Sequence, residues 1–196
     1  MSFENFTGTY KDGILTYESF NWTGKAIFTK RVNLSKLQHV FQAHQPGVYI
    51  LVGSHLNQKV VYIGEADSIF NRLVQHSKAK DFWEEALFFV SKDNNLTKGH
   101  IRFLESLLIQ RVKKIGSVIL TNTSCPKAPP VGEQDKKHME YFLEQIKCFA
   151  EIFRYDFLVS KTVAVFAQYE VPLKKLSDEE VFNQLEKCSD WRVKPV

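Results

Sequence analysis

Two β-rich runs around a short polar stretch dominate the pattern of the chain. Gly47-Val48-Tyr49-Ile50-Leu51-Val52-Gly53 leads into Ser54 to Lys59, and Val60-Val61-Tyr62-Ile63-Gly64 follows. Such a pair predicts an antiparallel hairpin. Side chains alternate along a strand, so Tyr49 shares a face with Leu51, and Tyr62 with Val60. A loop symmetric about His55 and Leu56 sets Tyr49 directly opposite Tyr62. Half-buried aromatic pairs of this kind are common as sheet packing, so the pair by itself does not separate packing from chemistry.

The remaining pattern alternates short strands and amphipathic helices. Lys11-Asp12-Gly13 is a turn signal, and Ile14 to Phe20 and Lys25 to Thr29 read as short strands. Asn33 or Ser35 is placed to cap a short helix through Leu37, Val40 and Phe41 that ends before Pro46. Asp67 or Ser68 caps a helix to about Ser77. Ala86 to Val90 is a continuous apolar run, expected as a buried third strand. Thr97 caps a long helix from Lys98 to about Lys114 that Gly116 closes, and Val118 to Leu120 extends again. Met139, Phe142, Leu143, Ile146, Phe149 and Phe153 recur at helical spacing and predict an amphipathic helix over 134–153. Further on, Lys161 to Tyr169 reads as a strand, and Ser177 with Glu180 as a capping box for a helix to about Cys188.

Composition supports one globular domain with appendages: 196 residues, 44% hydrophobic and 13% aromatic, enough for a real core. The net charge of +4 is uneven, because the last third of the chain is slightly acidic and the first two thirds are basic. That bias permits a polyanionic partner without requiring one. Cys125, Cys148 and Cys188 match no zinc spacing and point to a reducing compartment. No apolar run approaches the roughly 20 residues of a membrane helix, and the start is unlike a signal peptide. A cytoplasmic, soluble protein with no membrane partner is the expectation.

Three groups of residues carry candidate chemistry. Arg72 and His76 lie four apart on the helix after the hairpin, sharing a face that points back toward Tyr62. Arg forks to phosphate and His exchanges protons near neutrality, so their convergence on the tyrosines describes an anion site; a solvated helix face is the plainer alternative. Glu105 falls inside the apolar stripe Ile101, Leu108 and Val112. A carboxylate on an inward face needs a partner. Two readings stand: an ion pair with Arg72 or a neighbouring Lys, or a ligand for a divalent metal. Near Trp22, Lys25, Lys30 and Arg31 form a cluster that reads either as a nucleic-acid grip or as a lysine-protected edge strand.

Taken together, Tyr49 in GVY, Tyr62 in YIG, Arg72 eight residues after Gly64, His76, Glu105 and Asn122 make the chain resemble the GIY-YIG nuclease family. The motifs cover residues 46–123. Asn21-Trp22-Thr23-Gly24, Asp81-Phe82-Trp83-Glu84-Glu85-Ala86, Ser91-Lys92-Asp93 and Leu96-Thr97-Lys98 look like a bacterial branch of it. The resemblance implies an α+β fold, an α/β sandwich with a small three-stranded antiparallel sheet flanked by helices. The expected division is an N-terminal strand and helix extension (1–45), a nuclease-like core (46–123) and a C-terminal helical extension (124–196).

What the resemblance implies for function is a metal-dependent endonuclease acting on DNA phosphodiesters. Tyr49 would activate or orient the attacking water, Tyr62 would support nucleophile and phosphate, Arg72 would neutralise phosphate charge, and His76 would stand near the water. Glu105 would be the only protein ligand of one Mg²⁺ or Mn²⁺ ion. Gly64, Lys98 and Asn122 take substrate-side positions. Val48 stands where the namesake motif has Ile, a small change. Glu65, where many relatives carry Lys or a neutral residue, adds with Asp67 negative charge beside the phosphate position. It would weaken DNA binding, pair with Arg72 or give a second metal contact. The alternative is a nucleic-acid-binding or scaffold module that keeps the fold without turnover.

Overall fold

A computed structural model describes residues 6–159 of the chain. Its centre is the expected hairpin, β4 (Gly47–His55) and β5 (Gln58–Ala66), with β6 (Trp83–Ser91) antiparallel on the other side of β4. The sheet does not stop at three strands. Residues ahead of the hairpin form a meander, β1 (Phe6–Lys11), β2 (Ile14–Ser19) and β3 (Gly24–Lys30), and β3 pairs along the length of β6. A two-residue strand β7 (Ile119–Leu120) adds in parallel to β5. The result is a mixed α+β protein with one seven-stranded sheet, ordered β1-β2-β3-β6-β4-β5-β7. The expected small sheet is thus only its middle. The reason is that β6 offers an unpaired edge and Gly24 to Lys30 is apolar enough on both faces to close it.

Both faces of the sheet are covered, which explains why β4 reads as an unbroken apolar run rather than an alternating one. Val48, Ile50 and Val52 point toward one core shared with Ile101, Leu104, Leu108 and Val112. These belong to α3 (Lys98–Ile115), which Thr97 caps in a reciprocal box with His100 and Gly116 ends at φ 66°. The helix α4 (Glu133–Ile152) packs on the same side through Met139, Phe142, Ile146 and Phe149. Tyr49 and Leu51 point the other way, into a core built with Ile69 and Leu73 of α2 (Ile69–Ala79). The segment after β3 breaks into short pieces: 3₁₀ turns at Arg31–Asn33 and Phe41–His44 flank the single α-turn α1 (Leu34–Leu37). Asn33 does not cap α1; its amide donates to Gly13 O instead. Among the described residues no helix is long and apolar enough to cross a membrane. The strand and helix expected over 161–188 lie outside the described residues.

Register decides where the tyrosines stand. The hairpin turns on two residues, Leu56 and Asn57, both at positive φ (49° and 61°), as a tight two-residue hairpin turn requires. Symmetry about Leu56 and Asn57, one position later than expected, pairs Tyr49 with Gly64 and Leu51 with Tyr62. The phenols are therefore diagonal neighbours on one face, not directly opposite.

Candidate active site

The diagonal register leaves room for Tyr49 over a residue that has no side chain. Its ring lies across Gly64, where a Cβ would run into the Tyr49 hydroxyl well inside van der Waals contact. The close approach gives the glycine a steric reason of its own. Tyr49 is fully buried, and its ring centroid is 6.2 Å from that of Tyr62.

Helix α2 brings three polar groups onto this pair. Ile69, Leu73 and His76 form its buried face, so His76 occupies a position that periodicity assigns to the core. The His76 Nε2 is 2.7 Å from Tyr49 Oη, and Arg72 donates from Nε to the same oxygen at 3.4 Å. Arg72 also donates from Nη1 to Gln75 Oε1 at 3.0 Å. The Tyr62 ring stands edge-on to His76 at 5.0 Å, and the Lys80 Nζ lies over the same ring, 4.3 Å from its centroid. Because a guanidinium only donates, Tyr49 Oη accepts from Arg72 and is free to donate its own hydrogen to His76 Nε2.

Electrostatics agree with that assignment. Burial, with the positive charges of Arg72 and Lys80, pushes the His76 pKa down to about 4, so the ring is a neutral acceptor at pH 7. Burial first, and then Tyr62, hold the Tyr49 phenol well above its ordinary range, against the hydrogen bond from Arg72. The resting site is a neutral phenol between a neutral imidazole and a permanent cation.

Arg31 positions α2 from its far end. Its guanidinium donates to the carbonyls of Ser77 (2.6 Å), Lys80 (3.1 Å) and Asp81 (3.2 Å), and it lies over the Trp83 ring at 5.2 Å. Trp22 is buried against Phe142 and Phe149, and Lys25 pairs with Glu18. The cluster read from sequence near Trp22 does not exist as a surface, because Trp22 points into the core.

Glu105 belongs to a second group, on the α3 side of the sheet. Val48 and its cross-strand partner Glu65 share that face. Lys98 bridges Glu65 (2.7 Å) and Asp67 (3.0 Å), and Arg102 approaches Glu65 at 3.7 Å. Glu65 therefore pairs with Lys98 and not with Arg72. The half-buried Glu105 has no ion pair among the described residues, with Arg72 or with any Lys, and the ion-pair reading of its place is not met. Burial and the neighbouring Glu65 carboxylate raise its pKa, while the Glu65 backbone amide, Arg102 and Lys98 oppose. A partly buried carboxylate that accepts one backbone amide and has no ion pair keeps lone pairs that fit a hard divalent cation completing its shell with water. Among the described residues no three His, Cys, Asp or Glu side chains group as a ready-made metal cage. The tyrosine group and the Glu105 group lie on opposite faces of the sheet, and β5 contributes Tyr62 and Gly64 to the first and Glu65 to the second.

Asn122 acts on the backbone. Its Oδ1 accepts from Ile63 N (3.0 Å) and its Nδ2 donates to Ile63 O (2.7 Å), continuing by side chain the pairing that β7 starts. It braces β5 between Tyr62 and Gly64. Lys80 is absent from the sequence candidates, although it lies four residues after His76, itself four after Arg72; that spacing is the signal for it. Comparison with known proteins returns no matching family model, no matching curated protein and no matching solved structure.

Proposed function

We propose that the chain is a metal-dependent endonuclease that hydrolyses DNA phosphodiester bonds, the activity its resemblance to GIY-YIG nucleases implies. One observation carries the reading: a buried tyrosine hydroxyl held at once by His76 Nε2 and Arg72 Nε, beside a second tyrosine. Packing alone has no use for this arrangement, since phenylalanine fills the same volume without burying a hydroxyl.

The residues divide the work as follows. Substrate binding has to part the side chains that bury Tyr49. Water at the scissile phosphate then gives a proton to Tyr49 Oη as the phenol passes its own to His76 Nε2, so no free phenolate has to form in a site that disfavours one. The hydroxide left behind attacks phosphorus, and the bond to the leaving oxygen breaks. Arg72 lies beside that oxygen path and offsets the charge gathering on the phosphate. Tyr62 orders the water and phosphate from the outer side. Glu105 would hold the one divalent ion, Mg²⁺ or Mn²⁺, whose contribution when bound is polarisation of the phosphate and leaving oxygen.

The test is nicking of supercoiled plasmid with Mg²⁺ or Mn²⁺, followed by single-turnover cleavage and melting of Tyr49→Phe. That variant loses the hydroxyl and keeps the ring. Cleavage should fall at least about a hundredfold, and stability should change by about 1 kcal/mol. Full activity in Tyr49→Phe removes the phenol from the reaction. Glu105→Gln should melt higher than the parent at neutral pH without divalent ion, since a carboxylate disfavoured by its site is replaced by a neutral amide. It should also lose the stabilisation that Mg²⁺ gives the parent.

A second reading has an observation of its own. Glu105 shares its surroundings with Glu65 and Lys98, not with the tyrosines. A nucleic-acid-binding module without turnover accounts for that separation, and it predicts DNA binding with no nicking under either metal.

A further inference from the structure

Among the described residues, the charged side chains near the tyrosine pair are cations without carboxylate partners. Arg72 bonds to Tyr49 and Gln75 and also interacts with the Tyr62 hydroxyl, and the Lys80 ammonium rests on the face of the Tyr62 ring. Several lysines elsewhere are paired, Lys25 with Glu18, Lys59 with Asp156, Lys98 with Glu65 and Asp67, and Lys92 with Ser19 O, whereas Lys80 stands beside the tyrosine pair with its ammonium on a ring. A cation parked on an aromatic ring is held weakly, by about 0.5–1 kcal/mol where water reaches it. The Lys80 backbone, by contrast, is fixed. Its amide closes α2 on His76 O, and its carbonyl accepts from Arg31. The result is a placed but uncommitted ammonium at the edge of the site.

We propose that Lys80 is a phosphate-binding residue of this site, taking a backbone phosphate that flanks the one Arg72 addresses. The assignment rests on the nucleic-acid reading above and adds to it a second point of attachment. Eight helical residues span about 12 Å, or three to four steps of a strand rising about 3.4 Å each. Lys80 reaches back over Tyr62, so the phosphate it meets lies within about three nucleotides of the scissile one. The charge of Lys80 is also felt at His76. Its neutralisation by a phosphate therefore makes His76 a better acceptor when substrate arrives.

The experiment measures binding of a fluorescein-labelled DNA duplex to the full chain in EDTA across a salt series. One lysine–phosphate contact accounts for about 0.9 in the slope of log K against log salt. Lys80→Ala should reduce the slope by about that amount and weaken binding roughly three- to tenfold at low salt, while Lys80→Arg should restore both. Single methylphosphonate substitutions along the strand then locate the contact. One neutralised position should weaken the parent and leave Lys80→Ala indifferent. An unchanged slope, or equal sensitivity of both proteins at every position, overturns the assignment. A parent that binds no DNA overturns it together with the nucleic-acid reading. A parent that binds but nicks no plasmid overturns the endonuclease alone and leaves Lys80 in place.

Discussion

Gly64 and Tyr49 depend on one another. The phenol lies where a Gly64 side chain would go, so Gly64→Ala has to move either the ring or the strand. Overpacking of this kind costs about 1–3 kcal/mol. The larger effect should be on the hydroxyl, which loses its 2.7 Å contact to His76. We expect Gly64→Ala to melt lower and to cleave far more slowly than its stability loss explains, with thermal melts and single-turnover rates measured on one preparation. An alanine variant with the parent's rate would show that the close approach is incidental. Glu65, one residue on, faces the other side of the sheet and is neutralised by Lys98, so its charge does not reach the tyrosine pocket as an unpaired one.

At the scale of elements, α2 carries the site and is secured at both ends by different means. Its N-terminus has no side-chain cap, and the Ser68 hydroxyl is buried without a partner, so the start of the helix relies on Ile69 and Leu73 in the core. Its C-terminus relies on Arg31, which takes several carbonyls at once. Charge-assisted hydrogen bonds are worth about 1.5–3 kcal/mol each when one partner is removed. Arg31→Ala should therefore lower stability by about 2 kcal/mol and quicken amide exchange over residues 76–80, where hydrogen exchange would detect it. Arg31→Lys should recover little, because a single ammonium does not span carbonyls that diverge from one guanidinium. Unaltered exchange at that helix end would mean that packing alone holds α2.

At the scale of the molecule, the buried histidine makes stability depend on pH. His76 has a folded pKa of about 4 against 6.5 for the free side chain, so the unfolded chain takes up the proton first. The stability linked to it is complete above pH 6.5 and is lost as pH falls toward 4, by no more than about 3 kcal/mol. Glu85 and Glu105 have raised pKa values and act in the opposite sense, losing stability as pH rises through them. The histidine contribution is isolated by comparing the parent with His76→Gln: the difference in unfolding free energy should change between pH 4 and 6.5 and stay level above it. A level difference throughout would mean that His76 is solvated in the folded chain.

Local order was legible in the chain. The apolar run of β4, the Leu56-Asn57 neighbourhood as a turn, the Thr97 and Gly116 boundaries of α3 and the apolar stripe of α4 all follow from short-range periodicity and capping chemistry. The same spacing that put Arg72 and His76 on one helix face placed both on Tyr49. Register was not legible, since symmetry about His55 and Leu56 and about Leu56 and Asn57 both leave a polar tip, and only the one with two left-handed residues closes the hairpin. Nor was the extent of the sheet, because whether β3 finds the edge of β6 depends on residues some sixty positions apart. Trp22 beside lysines looks the same along the chain whether it faces solvent or core, and only the arrival of α4 over that face buries it. Sequence by itself determined the central hairpin strands, the third strand and the three long helices, with the side chains that share a face of each. It held no sign of β1, and it read as a continuous helix where the chain breaks into 3₁₀ turns around α1. The tertiary structure alone decided which faces meet, because pairing and packing join residues whose separation along the chain leaves no periodic trace.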